Sequence, residues 1–177
     1  MTTLTPQKPA LPNREGNVPA EAPPSPRLSP SPSPSPSSVP SPSSDRGWHE
    51  LIDAVKDSGQ YPTRSEAESI TRIVLSALGG HVVGDERVDL ARALPEEAAR
   101  VVASQIPATR ELTAAEFVES VAARIEGATP ATARWDVSSV LSVLPGLVGD
   151  ALVTRILAQL PPGYALLFGR AELAPAG

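Results

Sequence analysis

The chain has 177 residues, 41 % of them hydrophobic and 20 % charged, with a net charge of −5 and no cysteine. That length allows one domain with a substantial core. The missing cysteines exclude disulfides, thiolate nucleophiles and zinc–cysteine centres, and the acidic balance argues against a nucleic-acid partner, whose phosphates call for a basic surface.

Residues 1–44 hold thirteen of the 21 prolines, and their apolar residues other than alanine are Met1, Leu4, Leu11, Val18, Leu28 and Val39. A segment so poor in burial cannot offset its ordering entropy, so a disordered Pro/Ser-rich tail is expected there. The stretch "SPRLSPSPSPSPSSVPSPSS" favours polyproline II, suits a spacer or a docked peptide, and offers serines before proline to a kinase. Lys8, Arg14 and Arg27 against Glu15 and Glu21 give the tail +1, which leaves −6 for the rest. The opening "MTTLTPQKPALPN" lacks a basic segment followed by an apolar run and is not expected to be a signal peptide. With the absence of cysteine this points to the cytoplasm. Arginine far outnumbers lysine, a bias associated with GC-rich bacterial genomes.

From Asp45 the apolar residues recur at helical spacing. "WHELIDAVKDSG" places Trp48, Leu51, Ile52 and Val55 on one face. "TRSEAESITRIVLSALGG" opens with Thr63 and Glu66 in the spacing of a capping box and reaches Gly79-Gly80, which reads as a stop. Its inner stripe is Ala67, Ile70, Thr71, Val74, Leu75 and Leu78. "DERVDLARAL" follows, with Asp85 as N-cap and Val88, Leu90, Ala91 and Leu94 inward, and Pro95 opens "PEEAARVVAS". The pattern then returns. Thr113 and Glu116 cap "AAEFVESVAARIEG", whose stripe is Phe117, Val118, Val121 and Ile125. Thr129-Pro130 opens "PATARWDVSSVLSVL", Asp150 caps "DALVTRILAQL", and Pro161 opens "PPGYALLFG".

The return has a fixed offset of 66 residues. Twelve identities fall on it between Glu50 and Pro95 of the first stretch, among them Thr63/Thr129, Ala67/Ala133, Val74/Val140, Leu75/Leu141, Ser76/Ser142, Leu78/Leu144, Leu94/Leu160 and Pro95/Pro161. These are caps, breakers and core positions, so the repeat is architectural. The expected fold is all-α: two tandem copies of a unit of about four short helices, too small to bury their faces singly, packed as one pseudo-symmetric domain. The tail spans 1–44 and the domain 45–173, with the first copy at about 45–110 and the second at about 111–173.

Helix pairs ending in "VLSALGGHV" and "VLSVLPGLV", each followed by Gly-Asp and a closing "LP", with "LTAAEFVESVA" between them, resemble DUF2267, a family of bacterial all-helical domains, over about 46–173. The resemblance implies an all-α fold and a bacterial source. It carries over no catalytic or ligand residue.

Candidate chemistry is sparse. His49 and His81 are the two histidines. His81 at a helix end suits a general base oriented by Asp85 or Glu86, but its counterpart Leu147 shows that it is not part of the repeated design. An ordinary loop histidine is the simpler reading. Asp85, Glu86 and Asp89 are the candidate metal ligands, as hard oxygen donors for calcium or magnesium; acids at a helix N-terminus also simply offset its dipole. Ser76 and Ser142 sit mid-helix without a nucleophile elbow, and "GGHVVG" has the wrong spacing for a phosphate loop. Val137 to Gly149 is uncharged but shorter than a membrane span. Trp135 and Phe168 are read first as core, with Trp135, whose counterpart is Ser69, kept as the candidate partner-contact residue.

No catalytic residue and no cofactor are therefore assigned. The expected function is a non-enzymatic interaction or scaffold module that binds a protein partner or itself, with the tail as tether or docking segment. The alternative is a small-ligand- or metal-sensing domain with a pocket between the copies.

Overall fold

A computed structural model describes the backbone of residues 42–170 and the side chains of 45–170. The tail expected over 1–44 lies outside the described residues except for 42–44, which are helical, and the end of the expected domain, 171–173, lies outside them too. All regular structure among the described residues is helical. The order is α1 (Pro42–Gly59), α2 (Arg64–His81), α3 (Gly84–Ala93), α4 (Glu96–Ala103), α5 (Ala114–Ala122), α6 (Pro130–Leu141), α7 (Leu144–Val148), α8 (Asp150–Gln159) and α9 (Tyr164–Leu167).

The three threonine caps act where their residue type predicts. Thr63 Oγ1 accepts from the Glu66 amide at 3.2 Å. Thr113 with Glu116, and Thr129 with Thr132, form complete reciprocal boxes that satisfy amides the first helical turn leaves unpaired. Helix ends depart from expectation in several places, among them the last helix, which begins at Tyr164 and not at Pro161. α2 runs through Gly79 and Gly80 to His81. Gly79 serves close packing instead: a Cβ there would lie 2.7 Å from the Val102 carbonyl oxygen of α4. The helix expected over 130–144 ends at Leu141 and restarts as α7, because Pro145 lacks an N–H and its ring crowds the carbonyl four residues back. α5 stops at Ala122, after which Arg124 and Ile125 bond three residues back, tightening the chain into turns. Asp85 and Asp150 lie inside the first turns of α3 and α8 instead of capping them; Val83 and Gly149 hold the cap positions.

The core is continuous. Trp48, Leu51, Ile52 and Val55 of α1 are buried, as is the whole α2 stripe, with Phe117, Val118 and Val121 of α5. α1 packs on α2, α4 and α6, while α2 packs on α4, α5 and α6, so α1, α2 and α6 make its centre. Phe168 is buried, as expected of a core aromatic. Two residues are not where the sequence places them. Val88, expected inward, is 46 % exposed, because Leu90 and Leu94 already fill the face that α3 turns inward. Trp135, read first as core, is 56 % exposed.

Candidate functional site

Trp135 lies on the outer side of α6, whose inner side carries Ala133, Asp136, Val137 and Val140. Its indole is held: Nε1 donates to the Gly59 carbonyl at the end of α1 at 3.0 Å. Beneath it Tyr61 Oη donates to Asp136 Oδ1 at 2.7 Å. Burial, and then that carboxylate, push the Tyr61 phenol far above its ordinary pKa. Of the six aromatic residues, Trp48, Tyr61, Phe117, Tyr164 and Phe168 are buried, so Trp135 alone exposes its ring.

The same helix, with α5 and the start of α9, lines an apolar groove of about 560 Å³, to which α6 contributes Ala131 and Arg134. Small residues make its floor: Ala114, Ala115, Ala131 and Gly163. Leu166, 49 % exposed, stands on its edge. Glu119 and Arg134 also line it, and among the described residues neither side chain has an ion-pair or hydrogen-bond partner. Of the groove residues the sequence marked only Val118, as core, and Pro130, as a helix opener, and none as a candidate site. The available signal lay in the differences at the 66-residue offset, where Ala114 stands for Trp48 and Gly163 for Glu97.

The acidic residues of α3 are engaged by the end of the domain. Arg155 of α8 lies 2.8 Å from Asp89 and 3.6 Å from Glu86, and Gln159 Nε2 donates to Glu86 at 2.5 Å. A guanidinium thus stands against two of the three carboxylates that were candidate metal ligands. Asp85 is exposed, and among the described residues no three His, Asp or Glu side chains are grouped to hold a metal ion.

His81 lines a second pocket, of about 190 Å³, between the end of α2, residues 108–112 and the end of α8. Its ring meets Phe117 edge-on at 5.7 Å. Burial first, and the Arg124 guanidinium second, hold the imidazole below its ordinary pKa. Neither Asp85 nor Glu86 bonds to it among the described residues. His49 is exposed on α1. Ser76 Oγ faces Arg124 Nη1 at 3.4 Å, and Ser142 Oγ faces Ser58 Oγ at 3.4 Å. Among the described residues no helix is long and apolar enough to cross a membrane.

Residues 48–167 match the model of the family described as an uncharacterized conserved protein, DUF2267. The match covers more than half of the chain, which therefore belongs to that family. No curated protein matches it.

Proposed function

We propose that this DUF2267 chain is a non-enzymatic interaction module of the bacterial cytoplasm, built from two pseudo-symmetric copies of one helical unit, with residues 1–44 as its tether or docking arm. The observation that carries the functional part is the exposed Trp135 on the helix that also lines an apolar groove. Aromatic side chains are the characteristic anchors of protein interfaces, and an apolar groove is a place for a partner's own anchor.

Several contacts support the two-copy reading. α3 and α8 occupy residues 84–93 and 150–159, one offset apart in number. Ser58 meets Ser142, and their offset mates, Arg124 and Ser76, meet each other. Likewise α1 packs on α6 while α5 packs on α2. Such exchanged pairs are what a twofold relation produces. Near its axis a residue meets its own mate, as Asp89 meets Arg155, 66 positions on.

A second reading, small-ligand sensing, rests on the His81 pocket between the ends of α2 and α8. Its metal-binding form is disfavoured by Arg155, which already supplies positive charge to Glu86 and Asp89.

Affinity capture from lysate, comparing the full chain with one starting at Asp45, tests the module. A partner held by both places the binding face on the helices; one lost without the tail makes residues 1–44 the functional element. If neither chain holds a partner or associates with itself, the reading fails and ligand sensing takes its place.

A further inference from the structure

The groove has a filled counterpart in the first copy. Trp48 stands at the position of Ala114 and is buried, with 6 % of its surface exposed, on a helix that packs on α2, α4 and α6. The Arg72 guanidinium lies over its ring, 4.8 Å from the centroid, and pairs with Glu68 and Glu97. Asp53 pairs with Arg64 at 2.7 Å. Moved on by 66 residues, each of these arrangements loses a member. Ala114 replaces Trp48, Gly163 replaces Glu97, Ser138 replaces Arg72 and Pro130 replaces Arg64. The two charges that remain are Glu119, at the place of Asp53, and Arg134, at the place of Glu68. Among the described residues the second copy is therefore short of one indole, of a cation for Glu119 and of an anion for Arg134.

We infer that a second copy of this chain supplies all three, in a twofold dimer in which each Trp135 enters the other's groove and Arg134 pairs with Glu119 across the interface. Trp135 follows Arg134 in α6 and lies one helical turn from Ala131 on the groove floor, so the indole is carried by a helix that lines the groove. A twofold axis passing beside α6 sets each indole against the opposite groove, and it brings every rim residue to its complement twice, as an isologous interface requires. The neighbouring Arg134 joins the incoming indole much as Arg72 accompanies Trp48. This inference rests on the interaction-module reading and names its partner.

Sedimentation equilibrium of the full chain tests it. The wild type is expected to form a dimer. Trp135→Ser, which installs the first-copy residue, is expected to leave a helical, folded monomer by circular dichroism. Glu119→Arg and Arg134→Glu singly are expected to weaken association by about tenfold or more, and the double reversal to restore it. Ala114→Trp, filling the groove from within, is expected to block association. Should that variant misfold, the charge reversals still decide. A wild type that stays monomeric at the highest concentration reached overturns the inference. So does a dimer indifferent to Trp135→Ser, or one that the double reversal fails to restore. A monomer that still binds another protein through Trp135 overturns self-docking alone, whereas a monomer that binds nothing overturns the interaction reading as well.

Discussion

Tyr61 and Asp136, 75 residues apart, are joined by a 2.7 Å hydrogen bond that ties the α1–α2 turn to α6 below Trp135. Asp136 is buried, and Tyr61 is its hydrogen-bond donor among the described residues. Tyr61→Phe keeps the ring and strands the carboxylate. We expect a loss of about 1–3 kcal/mol in urea unfolding. Combining Tyr61→Phe with Asp136→Leu should recover part of that loss, because the buried polar group is then gone. A Tyr61→Phe variant as stable as the wild type would show that the bond contributes nothing.

Gly79 and Gly80 are adjacent in sequence and opposite in requirement. A Cβ at 79 would approach the Val102 backbone to within 3.0 Å, whereas at 80 the nearest atom is 3.5 Å away. Gly79→Ala should therefore cost about 1–3 kcal/mol by forcing α2 and α4 apart. Gly80→Ala should be neutral or stabilise by up to about 1 kcal/mol through helix propensity. Paired melting temperatures decide, and equal effects at the two sites would contradict the packing described.

His81 gives the fold an acid-sensitive element. Its folded pKa lies below the ordinary value of 6.5, so as pH falls through that value the unfolded chain binds a proton first and stability declines; the loss levels off below the folded pKa. Glu116, whose pKa is lowered by its hydrogen bonds to Thr113, contributes stability above the ordinary value of 4.5 that is lost as pH falls through its own lower pKa, so its effect belongs to a more acid window. Melting temperatures between about pH 7.5 and about pH 5.5 should drop more for the wild type than for His81→Gln. Identical drops would contradict the assignment.

Millimolar calcium or magnesium should leave the melting temperature unchanged, because Arg155 stands against Glu86 and Asp89. A clear rise, abolished by Asp89→Asn, would restore the acidic residues of α3 as a cation site.

How much of this was legible depended on how local its cause was. Thr63, Thr113 and Thr129 were readable as caps because a cap acts within four residues. The stripes of α1 and α2 were readable because each helix turns one continuous face inward. Gly79 misled because a glycine that ends a helix and one that admits a neighbouring helix look alike in sequence; only α4 distinguishes them. Pro145 carried a signal that local chemistry already provided, a break between α6 and α7. Trp135 could not be placed from its size and hydrophobicity, since its exposure follows from the core already being filled by Ala133, Val137 and Val140. The groove was hidden more deeply, being defined by side chains that are small. Identities at the 66-residue offset fall on caps and core positions, and the replacement of Trp48 by Ala114 at that offset falls in the groove.

Site-specific photo-cross-linking in the producing cells tests the interaction reading most directly. The photoreactive residue p-benzoylphenylalanine is placed at Trp135 in one strain and, in another, at Ser69, an exposed position on α2 that lies 66 residues before Trp135. A discrete cross-linked product is expected from position 135, of twice the chain's mass if the partner is a second copy, and none from position 69. No product at 135, or the same products from both positions, would contradict it.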